Sequence, residues 1–289
     1  MKTIAFFNEK GGVGKSIMNV MFASWLQYKH GLKVGLADFN DRIENNRANE
    51  VAARRRLGTY DALKDREPWP IASVDHNFVR NCTRRKLFGN AMWFDAQIKN
   101  GPLKDRDVVV VDFPGSLDGG SFTELVSYRL VSQVVLVCDA DKEVMLAALN
   151  MNKMVTSMVP EVNVMGFVNK ARLNQKNYER KYYEEVKDPL MKLGLRLLPD
   201  TVSYSERIIN LDRPDIMRSS LTYPDWDSPA FAGGRDLGIE NLFTDVAREL
   251  RRSMEIRGTG TADLSFVDSL SKTDDGRQFR GSSFPEYEI

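Results

Sequence analysis

"NEKGGVGKS", residues 8–16, lies between a short apolar run and a helical pattern, and its reading decides the fold. A phosphate-binding loop ordinarily reads G-x-x-x-x-G-K-[ST] between a strand and a helix. Gly14, Lys15 and Ser16 complete that pattern, but Glu9 stands where its first glycine would be, and Lys10 adds a second lysine. The glycines let successive backbone N–H groups point at phosphate oxygens with no Cβ in the way. Lys15 offers a point charge to the β- and γ-phosphates, Ser16 a hydroxyl to Mg²⁺, and the following helix its positive N-terminal end. Gly11, Gly12, Val13, Gly14, Lys15, Ser16 and Ile17 are therefore the expected nucleotide-binding stretch. The second lysine has no role in that scheme.

Working outward, mainly apolar runs recur at residues 3–7, 33–39, 107–113, 133–139, 162–168 and 195–199, with a weaker one at 70–74. Continuous rather than alternating apolarity implies strands buried on both faces, as in a parallel sheet with helices on each side. Residues 16–30 place Ile17, Val20, Met21, Ser24, Trp25 and Tyr28 at helical spacing, with Gly31 as the stop. Further helices are expected at 119–131, 142–158, 174–193 and 239–256. The fold class read from this order is α/β: a doubly wound, mostly parallel sheet with helices on both faces. The expected organisation is one phosphate-loop domain over residues 1–257. A Gly-, Ser-, Thr- and Asp-rich tail over 258–289 is expected to be mobile or draped on the surface.

The chain has 289 residues, a formal net charge of +1 and 42% hydrophobic residues. That length can fill a large core, and the charge balance means that any nucleic-acid surface must be local. Cys82 and Cys138 lie far apart with no C-x-x-C pairing, which speaks against a disulfide scaffold and for a reducing compartment. The opening "MKTIAFFNEK" is too short in its apolar part for a signal segment or a membrane span. A cytoplasmic location without membrane contact is expected.

"EKGGVGKS" resembles the deviant Walker A motif of the ParA/MinD family of ATPases, in which the added lysine is the signature lysine. The resemblance implies that Lys10 reaches the phosphates of a partner's ATP in a dimer that sandwiches two nucleotides. It extends over roughly residues 1–215. "VVVVDFPG" is similar to the family's Walker B strand and puts Asp112 at a strand end, where it would hold Mg²⁺ through water. "VGLADFND" is similar to the first switch region, commonly D-x-D. Asp38 fills the first position, and Asn40 the second. An amide can orient water but cannot take its proton, so hydrolysis is expected to be slow, with Asp41 as a possible substitute base. "GFVNKA" and "LLPDTVSYSE" resemble the segments beside the base, which would bring Asn169, Pro199 and Asp200 to adenine. The implied ligands are ATP and Mg²⁺, the metal held by Ser16, Asp38 and Asp112. The implied catalytic set is Lys10, Lys15, Asp38, Asn40 and Asp112.

Basic clusters stand at residues 54–56, at 84–86 and on the last helix at Arg248, Arg251 and Arg252. They resemble in kind the patches by which ParA-type dimers hold DNA without reading its sequence, since phosphate neutralisation needs only such clusters. Residues 42–106 carry fourteen Lys and Arg against eight Asp and Glu. Trp69, Phe88, Trp93 and Phe94 lie in that region, where they could stack on bases but more often would pack in a core. The expected activity is an ATP-switched homodimer that partitions or positions plasmid, chromosomal or conjugative DNA, with a DNA-binding adaptor or conjugation protein as a possible partner. The alternatives are a small-molecule enzyme of the dethiobiotin synthetase or cobyrinic acid amidase type, and a MinD-like positioning ATPase. The tail lacks the basic amphipathic helix expected of the last.

Overall fold

The computed structural model describes residues 1–40, 69–115, 120–171, 183–203 and 238–257. Seven strands form one sheet: β1 (Lys2–Phe7), β2 (Val34–Asp38), β3 (Ile71–Ser73), β4 (Val108–Asp112), β5 (Gln133–Cys138), β6 (Asn163–Ala171) and β7 (Leu197–Ser203). Their order is β3-β2-β4-β1-β5-β6-β7, and every pairing is parallel. The expected α/β class is thus observed. From β1 the chain moves outward to β2 and β3, returns to β4, and then crosses to β5 on the other side. Such a reversal opens a crevice at the carboxyl ends of the strands, and the loop after β1 sits there.

Both faces of the sheet are apolar. Ile4, Phe6, Val110, Val135 and Phe167 face one layer, and Ala5, Phe7, Val109, Val111 and Leu136 the other. The first layer is covered by α1 (Lys15–Ser24). The second carries α2 (His76–Arg84), α3 (Gly89–Asn100), α4 (Ser121–Ser127), α5 (Lys142–Met158) and the short α6 (Asp188–Lys192). The last of the described helices, α7 (Ile239–Arg257), packs beside α1. Phe6 makes edge contacts with Phe22, Phe167 and Phe243. Phe7 stacks on Phe122 with ring centroids 3.9 Å apart. Truncating a buried aromatic of this kind costs roughly 3–5 kcal/mol.

Several expected bounds shift. The helix begun at Lys15 widens into π turns over Trp25–Lys29 and ends at left-handed Gly31, whose N–H bonds the Gln27 carbonyl. The helix expected at 119–131 runs only from Ser121 to Ser127 within the described residues, because Arg129 turns left-handed just beyond it. Of the helix expected at 174–193, the described part is a wide turn, Tyr183–Lys187, followed by α6, with Pro189 in its first turn. The helices α2 and α3 were not expected. Asp75 caps α2 by accepting from the N–H groups of Asn77 and Phe78. Gly89 lets α3 start against α2, since a Cβ there would lie 2.9 Å from Val79 and Cys82 atoms. Trp69, Trp93 and Phe94 are core residues, whereas Phe88 is exposed. Asp41, the 54–56 cluster and the 258–289 segment lie outside the described residues.

Candidate nucleotide-binding site

The loop between β1 and α1 is shaped by left-handed Gly12 and Gly14, at φ +75° and +99°. Such angles favour glycine. Gly14 is also the N-cap of α1, and no side chain caps that helix, so its dipole and first-turn N–H groups face the loop. Gly115, after β4, approaches from the other side: a Cβ there would lie 3.2 Å from both Gly11 and the Lys15 ammonium. This backbone cradle would be closed by any larger side chain.

The two lysines are placed differently. Lys15 is buried, and its Nζ donates to the Lys10 carbonyl at 2.7 Å. Burial lowers its pKa, and the charge of Asp112 opposes that shift. Lys10 instead reaches away from the loop to Glu143 Oε2 at 2.7 Å, in an exposed ion pair that raises its pKa. Glu143 is held in the first turn of α5 by the Asp141 cap, which accepts from the N–H groups of Glu143 and Val144.

Asp38 and Asp112 end adjacent strands and are direct register partners. Both are buried. Burial and the charge of Asp38 push the Asp112 pKa up, against hydrogen bonds from Ser16 and Asn19. The Asn40 amide joins the two acids, donating to Asp38 Oδ1 at 2.6 Å and to Asp112 Oδ2 at 3.0 Å. Ser16, Asp38 and Asp112 therefore meet within one hydrogen-bond network. Among the described residues, no group of three or more His, Cys, Asp or Glu side chains is gathered for a metal ion. Two carboxylates and a hydroxyl nevertheless suit Mg²⁺, which keeps several waters and shares substrate phosphates.

Buried Asn169 donates to the Val13 carbonyl at 2.8 Å and approaches Gly14, so the residue expected at the base also braces the phosphate loop. Pro199 and Asp200 lie in β7, where Lys187 Nζ donates to the Pro199 carbonyl. Val13 is buried and Ile17 packs in the core below the loop. The structure thus brings together residues 10–17, Asp38, Asn40, Asp112 and Asn169, while Pro199 and Asp200 stand on an outer strand.

Three buttressing residues were missed from sequence. Asn8 donates to the Val137 and Val144 carbonyls and accepts from Lys10 N–H, tying the loop to β5 and α5. Asn19 accepts from Phe6 N–H and donates to Asp112 Oδ1 at 2.9 Å. Glu143 is the third. A polar residue on the buried side of α1 was the available signal for Asn19.

Arg248, Arg251 and Arg252 share α7, but Arg248 pairs with Asp245 and Arg252 with Glu249, at 3.1 and 3.0 Å. Asp245 is itself perturbed: burial first and the charge of Asp200 second push its carboxyl up to about 6, against Arg248. A folded value above the ordinary one means that the native state holds the proton more tightly. The associated stability is present below the ordinary carboxylate value and lost as pH rises through about 6. Allowing for partial exposure, Asp245 should cost about 1–2 kcal/mol of stability between pH 4.5 and 7.5. In urea unfolding at both pH values, Asp245→Asn should lose that part of the pH dependence. An unchanged pH profile would assign the slope to other groups.

This arrangement defines a nucleotide-binding α/β protein of the phosphate-loop kind. Residues 4–213 match the family described as CbiA, the CobQ/CobB/MinD/ParA nucleotide binding domain, and the chain belongs to that family. A search of curated protein sequences gives no match. The fold is similar to a candidate plasmid partition protein of Borrelia burgdorferi bound to AMPPNP, with TM-score 0.53, 18% identity, 89% of this chain and 99% of that one covered. It is similar to the MinD cell division protein of Aquifex aeolicus, at TM-score 0.51 and 16% identity, covering 90% and 99%. It is also similar to cobyrinic acid a,c-diamide synthase of Mycobacterium smegmatis with bound ADP and magnesium, at TM-score 0.50 and 14% identity, covering 74% and 91%. At these identities the likeness establishes the fold. No helix among the described residues is long and apolar enough to cross a membrane.

Proposed function

We propose that the protein is a ParA-like ATP-binding and ATP-hydrolysing switch that dimerises with ATP and positions or partitions DNA. The observation that carries this reading is the division of labour between the two loop lysines. Lys15 is folded into its own loop and supplies the charge that a bound β,γ-phosphate needs. Lys10 points outward to an exposed acid, which leaves its ammonium for the nucleotide of a second copy. Mg²⁺ would be held by Ser16, Asp38 and Asp112, and the metal would neutralise charge on the transferred phosphoryl group. Asn169 would contribute to base recognition while bracing the loop, and Pro199 and Asp200 would lie toward the base. A small-molecule enzyme on the same fold would have no use for the outward lysine. The enzyme reading therefore stands behind the switch, and the MinD-like reading stands behind it because the tail sequence lacks the basic amphipathic helix that a membrane-surface switch would carry.

DNA contact through Arg248, Arg251 and Arg252 would compete with Asp245 and Glu249. We therefore expect weak, salt-sensitive binding without sequence preference, strengthened by pairing two copies in the dimer. Sedimentation with ADP, ATP and a slowly hydrolysed analogue, with and without DNA, tests the proposal. The wild type should shift to a dimer only with ATP or the analogue, and only that species should be retained by DNA. Lys10→Ala should bind ATP nearly as well and remain monomeric, whereas Glu143→Gln should dimerise at lower protein concentration. A Lys10→Ala protein that dimerised normally would overturn the trans-lysine reading.

A further inference from the structure

Away from the nucleotide site, the end of α2, the start of α3 and the end of α4 converge on an exposed apolar surface. Phe88 and Tyr128 pack together with ring centroids 4.8 Å apart, yet remain 55% and 46% exposed. Met92 stands one turn after Phe88 on α3, its N–H bonded to the Phe88 carbonyl, and is 47% exposed; Leu87 is 46% exposed. Large apolar residues grouped in this way mark an interaction surface more often than a solvated one.

Along α2 and the start of α3 the surface carries one sign of charge. Arg80, Arg84, Arg85 and Lys86 are all exposed, and residues 76–94 contain no Asp or Glu. None of these four side chains has a partner among the described residues. The nearby Glu124 is engaged as an acceptor from Asn90 and from the Ala91 N–H at the start of α3. Lys86 and Arg129 adopt left-handed backbone at φ +57° where glycine would be easier, and Arg129 pairs with Glu161 just before β6. That pair places the surface toward the end of the sheet where strands begin, opposite the phosphate loop.

We propose that this surface is a docking site for an acidic polypeptide segment that buries one or two large apolar side chains against Phe88, Tyr128 and Met92. Charge complementarity selects the acid: four unpaired cations, with the nearby Glu124 already engaged by Asn90 and the Ala91 N–H, repel a basic partner and steer an acidic one. Aromatic and Arg side chains are also the residues that carry most binding energy at protein interfaces. A nucleic acid fits less well. Base stacking needs an open ring face, whereas Phe88 and Tyr128 are inclined to each other by 58° and bordered by aliphatic Leu87 and Met92. The proposal does not depend on the nucleotide-switch reading.

Fluorescence anisotropy with two labelled 16-residue peptides tests it, one with Leu and Phe at helical spacing and Glu elsewhere, the other with Lys replacing every Glu. Twenty-residue oligothymidylate is the nucleic-acid probe. The acidic peptide should bind the full-length protein, with affinity falling as salt rises. Phe88→Ser with Tyr128→Ser, and separately Arg84→Glu with Arg85→Glu, should each weaken it about tenfold or more. Both variants should keep wild-type circular dichroism and ATP affinity, because the altered side chains are exposed and distant from the loop. Failure of the acidic peptide to bind, equal binding of the lysine peptide, or undiminished binding to the folded variants would overturn the proposal. Loss of oligothymidylate binding in the same variants, with the acidic peptide unaffected, would also overturn it and assign the surface to nucleic acid.

Discussion

Lys15→Ala should reduce ATP affinity by about ten- to a hundredfold or more while leaving the protein folded. A hydrogen bond to a charged group is worth roughly 1.5–3 kcal/mol, and each 1.4 kcal/mol is tenfold in a binding constant. Lys15 is the buried cation of the loop, and its ammonium donates to the neutral Lys10 carbonyl. A bound β,γ-phosphate would replace that neutral acceptor with a charged one, so the lysine favours the bound state by more than it favours the free one. The alanine variant should still fold, because α1 is held by Ile17, Met18, Val20, Met21 and Phe22 in the core. Titration calorimetry with Mg·ATP reads the loss directly. Unchanged affinity would remove the loop from nucleotide binding.

The contrast with Lys10 could be foreseen from sequence only through the resemblance, because what distinguishes the two lysines is a partner 133 positions away, Glu143. The same holds for Asn19 and Asp112, separated by 93 positions. The strands, by contrast, were legible because burial on both faces writes an unbroken apolar run into the chain, as in "VVVVD" of β4. Helix α2 was not, since Cys82 is its one buried residue and its other apolar side chains, Phe78 and Val79, are exposed or only half-buried. Its cap at Asp75 was the readable sign. α3 hides its period differently: Ala91, Trp93 and Phe94 are buried, while exposed Met92 and half-buried Ile98 blur the face. The arginines of α7 were correctly placed on a helix, but their charge was judged without the acids three residues before them. Asp245 and Glu249 alter that electrostatic argument without any change of fold.

Asn40→Asp should have two opposite effects, and their combination tests why an amide stands at this switch position. The Asn40 amide donates to both Asp38 and Asp112. Aspartate would remove those donors and set a third carboxylate against two buried ones, whose repulsion already contributes to the raised Asp112 pKa. Loss of this half-buried donor with introduction of like charge beside two buried carboxylates should cost about 2–4 kcal/mol, visible as a lower thermal midpoint without ligand. Mg·ATP should restore more stability to the variant than to the wild type, because the metal supplies the positive charge that the amide supplied as a dipole. In the bound state the new carboxylate can accept the proton of the attacking water, which an amide cannot. General-base assistance is typically worth about 10²- to 10⁴-fold, although the loose transition state of phosphoryl transfer depends on it less. Single-turnover hydrolysis should therefore be slow in the wild type, faster in Asn40→Asp, and damaged by Asp38→Ala in either background. Asn40 on this account trades turnover for a pre-assembled pair of carboxylates and a long-lived ATP state. A fast wild type that only Asp41→Ala cripples would place the base at Asp41 instead, and would leave Asn40 as a structural clamp alone.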